Sequence, residues 1–142
     1  MSASVAHDIA VLISELGYGE LGKGIYDPQL LALRKPVHGV LVEQRNTAPM
    51  PDVLNGDDVL YVNIQVRGEG GGEKGKRAAY DKAMAIYRDL RLVMDRTIDG
   101  TFYELITPDS APYEVQDGQF YDYLFGLEVT RYFLEDVTDG KD

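Results

Sequence analysis

Val59-Leu60-Tyr61-Val62-Asn63-Ile64-Gln65-Val66-Arg67 alternates without a break. Leu60, Val62, Ile64 and Val66 point one way, while Tyr61, Asn63, Gln65 and Arg67 point the other. A period of two is the signature of a half-buried strand. Its apolar face needs a covering layer, and its polar face must meet water or another subunit. The glycine-rich stretch Gly68 to Gly75 follows and reads as a mobile loop. From about Lys76 to Met94 the period changes: Ala79, Ala83, Ile86, Tyr87, Leu90 and Val93 form one stripe at 100° per residue, with Arg77, Asp81 and Arg88 opposite. Strand, loop and amphipathic helix together predict a helix packed on a sheet.

Working outward, Val5, Ile9, Leu12, Ile13 and Leu16 predict an opening helix, with Ser4 as N-cap, Asp8 in its early turns and Gly17 ending it. Gly17, Gly19, Gly22 and Gly24 make a turning segment. Val37 to Gln44 reads as a strand, and Arg45 to Asp58, with Pro49, Pro51 and Asn55-Gly56, as a long loop. Asp99-Gly100 marks a turn before a strand from Phe102 to Thr107. Asp117-Gly118 marks a tight turn before a last strand, Phe120 to Phe133, in which Tyr121, Tyr123, Phe125, Leu127, Val129 and Phe133 share a face. The expected fold is α+β: a mostly antiparallel sheet of about four strands with two helices packed on one face. Residues 1–133 form the single expected domain, and 134–142 an acidic, frayed tail.

The chain has 142 residues, no cysteine and a formal charge of −10. Without cysteine there are no disulfides, thiol nucleophiles or Cys-based zinc sites. The negative field opposes non-specific binding to phosphate backbones. No apolar run is long enough to span a membrane, and the first residues do not read as a signal peptide. Gly70-Gly71-Gly72-Glu73-Lys74-Gly75-Lys76-Arg77 nearly matches a phosphate-binding loop. Arg77, however, stands where that loop needs a magnesium-binding hydroxyl, and Glu73 would repel the phosphates. His7 and His38 are isolated and lack ligand spacing. The Asp52 to Asp58 loop lacks calcium-loop spacing, and no Gly-x-Ser-x-Gly elbow occurs. Neither cofactor, metal nor catalytic residue is expected.

Three stretches carry a resemblance. The opening helix runs into Gly17-Tyr18-Gly19-Glu20-Leu21-Gly22-Lys23-Gly24-Ile25-Tyr26. The strand Leu60 to Gly68 leads to the helix carrying Ala79-Tyr80-Asp81-Lys82-Ala83-Met84-Ala85-Ile86-Tyr87. The chain closes through Ile106-Thr107-Pro108, Asp117-Gly118-Gln119 and Leu127-Glu128-Val129-Thr130-Arg131. From about Val5 to Phe133 this layout resembles the tail-terminator (minor capsid, head-tail joining) family of long-tailed bacteriophages. The glycine-rich insertion and the acidic tail depart from the family pattern.

The resemblance implies a non-enzymatic virion protein of the neck and tail, made in the host cytoplasm. It implies a homohexameric ring that caps the tail tube, with the tube protein and the head-side stopper or connector as partners. DNA would pass through without specific binding, so acidic or neutral side chains are expected at the lumen and basic ones toward protein partners. The candidate partner-contact loop comprises Arg45, Asn46, Pro49, Met50, Pro51, Asp57 and Asp58. The candidate subunit interface comprises Tyr61, Asn63, Gln65, Arg67, Tyr80 and Met84. Competing readings are another connector component (a stopper or completion protein), a monomeric binding module unrelated to phage, and a small enzyme using the acidic loops or the tyrosine-rich strand.

Overall fold

The computed structural model describes residues 4–28, 38–45, 57–70, 72–117 and 120–132. Helix α1 (Val5–Glu15) begins where the cap was expected, with Ser4 Oγ accepting from the His7 amide at 3.2 Å. Gly17, at φ +97, takes the left-handed conformation that ends it. Strands β1 (Glu20–Leu21) and β2 (Gly24–Tyr26) follow, then β3 (Gly39–Gln44) and β4 (Asp57–Arg67). Helix α2 (Gly72–Asp89) leads to β5 (Val93–Ile98), β6 (Thr101–Pro108), β7 (Tyr113–Asp117) and β8 (Phe120–Tyr132).

The sheet order is β1-β2-β3-β4-β8-β6-β5, with β7 also on β8. The first two pairings are parallel and the rest antiparallel. This overturns the expected four-stranded antiparallel sheet with helices on one face. Among the described residues the molecule is mostly sheet: eight strands form a curled, mixed half-barrel, with the helices α1 and α2. The curl shows in the packing of α1, which touches β2 and β3 at one end of the sheet order and β5 at the other. Right-handed twist accumulated over many strands bends the sheet, and α1 fills the resulting hollow.

Four local corrections underlie the difference, one of them β7, which forms after the connection enclosed by Pro108 and Pro112 where no strand was expected. The segment expected to be only a turn after α1 contains β1 and β2. The helix expected to reach Met94 stops at Asp89, and Val93 and Met94 begin β5. The hairpin β5–β6 closes through Asp99 and Gly100, both at positive φ (49° and 85°), as a two-residue primed turn requires. Finally, Gly68 to Gly75 is not a loop throughout, because α2 starts at Gly72 and Gly75 is buried.

The expected core survives these changes. Leu60, Val62, Ile64 and Val66 are at most 4% exposed. They lie opposite Val129, Leu127, Phe125 and Tyr123 of β8. Ala79, Ala83 and Ile86 of α2, with Leu90 just past its end, close the core.

A polar cluster sits within this core. Asp8, fully buried on α1, accepts a hydrogen bond from Tyr103 of β6, and Arg131 of β8 is buried beside them. Burial raises the Asp8 pKa above the ordinary aspartate value, despite the Tyr103 hydrogen bond and the nearby His7 and Arg131 charges that lower it. The proton on Asp8 therefore favours the folded state. Its contribution is full below about pH 4 and is lost as pH rises through the folded pKa. Asp8→Asn should accordingly gain stability relative to the parent as pH increases from about 4 to 7. A difference in Tm that stays constant across that range would contradict the assignment.

Candidate functional site

The polar face of β4 lies outward on the sheet. Tyr61, Asn63, Gln65 and Arg67 are all partly buried there. In register they stand opposite Glu128, Gly126, Leu124 and Asp122 of β8. Two clusters organise this surface. In the first, Arg67 grips Asp122 with two bonds of 2.9 Å, and Gln65 Nε2 donates to the same carboxylate at 2.6 Å. The Arg67 guanidinium also lies 4.3 Å from the Phe120 ring centroid.

The second cluster surrounds Gly126. Arg45, just after β3, donates through Nε to Asn63 Oδ1 at 3.2 Å and through Nη2 to Asp109 at 3.1 and 3.3 Å. Its guanidinium sits 5.2 Å from the Tyr61 ring centroid. Strands β6 and β7 share one edge of β8 and are interrupted at residues 109–112. In that interruption Asp109 N donates to Gly126 O, and Gly126 N donates to Ser110 Oγ, both at 2.9 Å. Arg45, Asn63, Asp109, Ser110, Tyr113 and Gly126 border an open cavity of about 410 Å³.

Gly126 makes this arrangement possible. A Cβ there would stand 2.1 Å from Arg45 Nη2 and 2.4 Å from Asp109 Oδ1. Both are ends of flexible side chains, so Gly126→Ala should push the ion pair apart rather than unfold the sheet. The expected loss is about 1 kcal/mol or less, because the pair is part-exposed. In the Gly126→Ala background, Asp109→Asn should then have no further effect. A full Asp109→Asn effect in both backgrounds would refute the idea.

The Arg45 charge is matched by Asp109, so the cavity is locally near neutral. Its hydrogen-bonding groups and the half-exposed Tyr113 suit the backbone and side chains of a protein surface better than a phosphate. The structure thus joins Arg45 from the expected partner loop to Asn63 and Tyr61 from the expected interface. Asp57 and Asp58 belong to β4 rather than to a loop, pairing with Tyr132 and Arg131. Asn46, Pro49, Met50 and Pro51 lie outside the described residues. Tyr80 is 44% exposed on α2 and meets Tyr123 edge to face, while Met84 is partly buried beside it.

Asp109, Ser110, Tyr113, Asp122 and Gly126 were not anticipated. Gly126 had a signal, since an isolated glycine inside a strand marks a bulge or a close approach. Asp122, set between Tyr121 and Tyr123, resembles any outward polar residue of an alternating strand.

The near-match to a phosphate loop is also accounted for. Lys76 is turned to Glu114 at 3.2 Å and lies 5.3 Å from the Tyr121 ring centroid. His7, on α1, stands 2.8 Å from the buried Asp27 carboxylate. Among the described residues no group of His, Asp or Glu is arranged to hold a metal ion. No helix among them is long and apolar enough to cross a membrane. No protein-family model matches the chain, and no curated protein matches it either.

Proposed function

We propose that this chain is a non-enzymatic assembly subunit that closes into a homohexameric ring, caps a phage tail tube and joins it to the head-side connector. The resemblance in element order motivates the reading. The observation that carries it is the outer sheet face, where polar side chains are held in fixed hydrogen bonds around a near-neutral, open cavity with an exposed tyrosine. A pre-ordered polar face of this kind loses little side-chain freedom on docking, which favours protein contact. In this reading the chain belongs to the virion neck and tail, is made in the host cytoplasm, and lets DNA pass without specific binding.

Light scattering of the purified protein, with electron microscopy of tail tubes to which it is added, tests the reading. The expected result is a closed hexameric ring, in solution or on the tube end. A protein that stays monomeric at high concentration, and that occurs as single copies in particles, would rule it out.

A further inference from the structure

Helix α2 is basic within a chain of net charge −10: Lys74, Lys76, Arg77, Lys82 and Arg88 stand against Glu73, Asp81 and Asp89. At 100° per residue Lys74, Arg77, Asp81 and Arg88 fall in one exposed arc, bordered by Tyr80, Glu73 and Met84. On the sheet, Arg45, Arg67 and Arg96 each have a carboxylate partner, and so does Lys76 on the flank of α2. Lys74, Arg77 and Arg88 have none among the described residues, although acidic residues outnumber basic ones 24 to 14. The fold therefore leaves a net positive charge along one helix face, with Lys74, Arg77 and Arg88 set against Asp81 and Glu73. Tyr80, fixed against Tyr123 with ring centroids 5.3 Å apart, supplies a rigid apolar anchor between those charges.

We propose that this face docks the acidic stretch that follows β8, Glu135-Asp136-Val137-Thr138-Asp139-Gly140-Lys141-Asp142, from a second copy of the chain. The proposal rests on the self-assembly reading and names the surfaces that meet. Charge complementarity selects an acidic partner, and Val137 offers an apolar group to Tyr80 and Met84.

Reach selects a second copy over the same one. Strand β8 and α2 run side by side in the same direction, with Lys76 on Tyr121, Tyr80 on Tyr123 and Tyr87 on Phe125. From Phe125 the strand continues to Tyr132, about 23 Å further on. Residues up to Asp142 can extend about 33 Å, and most of that is needed to return to Arg88. Arg77 lies roughly 16 Å beyond Arg88 along the helix. A neighbouring copy has no such restriction. A contact between two different surfaces propagates head to tail and closes a ring when the rotation allows.

The test measures self-association of the full-length chain by sedimentation at low and high salt. Arg77→Glu with Arg88→Glu, and separately Glu135→Lys with Asp136→Lys, should each weaken association about tenfold at low salt. All four substitutions together should restore it, and raising the salt should erase the differences. All sites on α2 are exposed, so melting curves should match the parent. Absence of weakening, or weakening without rescue, overturns the proposal while leaving the ring reading intact. If the α2 reversal instead abolishes binding of a duplex DNA probe and leaves self-association unchanged, the face serves nucleic acid and the proposal is wrong. If the parent never self-associates, in solution or on tail tubes, the ring reading fails with it.

Discussion

Gly68→Ala should cost about 3 kcal/mol or more and lower Tm by roughly 10 °C, more than a typical surface change. A Cβ at Gly68 would stand 2.1 Å from the Gly75 carbonyl oxygen and 2.9 Å from the Ala79 amide nitrogen. Both atoms are backbone within α2, so no side chain can swing aside and the helix itself must lift. Lifting it strips cover from Tyr123 and Phe125 and withdraws Ala79 and Ala83 from the core. Gly75→Ala should behave similarly, since its Cβ would stand 2.2 Å from the Gly70 carbonyl oxygen. Gly70→Ala is the control. Gly70 has positive φ but open space around it, so only conformational strain of about 1 to 2 kcal/mol is expected. Equal losses in thermal melts of Gly68→Ala and Gly70→Ala would mean that close approach is not what seats α2.

The same glycines show where sequence stops informing. Composition marks Gly68 to Gly75 as flexible, but Gly68 and Gly75 are there so that strand and helix can touch backbone to backbone. Close approach and mobility demand the same residue, and only tertiary contact separates them. Periodicity served well where one face is buried along a whole element, as in β4, α1 and the middle of β8. It misled at Leu90 and Val93, where helical spacing continued by coincidence across the end of α2 into β5. The Asp99-Gly100 pair could have corrected this, because a two-residue turn with a strand after it requires a strand before it. Strands β1 and β7 are short and mostly exposed, and β2, though it buries Ile25 and Tyr26, is only three residues long, so no apolar pattern announces them. The candidate site divides in the same way. The outward set Tyr61, Asn63, Gln65 and Arg67 follows from alternation alone. Their partners Asp109, Asp122 and Gly126 depend on how β8 is registered against β4 and on the interruption between β6 and β7, which are long-range facts.

Arg67→Ala should destabilise the fold by about 3 kcal/mol or more, although the sequence offers Arg67 only as an outward residue of the candidate subunit interface. The Asp122 carboxylate is fully buried, while the Arg67 side chain keeps 21% exposure. Removing Arg67 leaves that carboxylate out of water, still accepting from Gln65 but with no cation beside it, and the desolvation cost is no longer offset. Removing the acid instead frees a guanidinium that can turn toward solvent and still lie on Phe120, so Asp122→Ala should cost less, about 1 to 2 kcal/mol. The double variant should fall well short of the sum, with a coupling of about 2 kcal/mol in urea unfolding. An Arg67→Ala loss under about 1 kcal/mol would place the pair in effectively solvated surroundings. Arg67 would then be available to a partner. If the larger loss is found, Arg67 contributes to assembly indirectly: it holds the outer face rigid, and the contacts fall to neighbours such as Tyr113 and Arg45 that retain exposed surface.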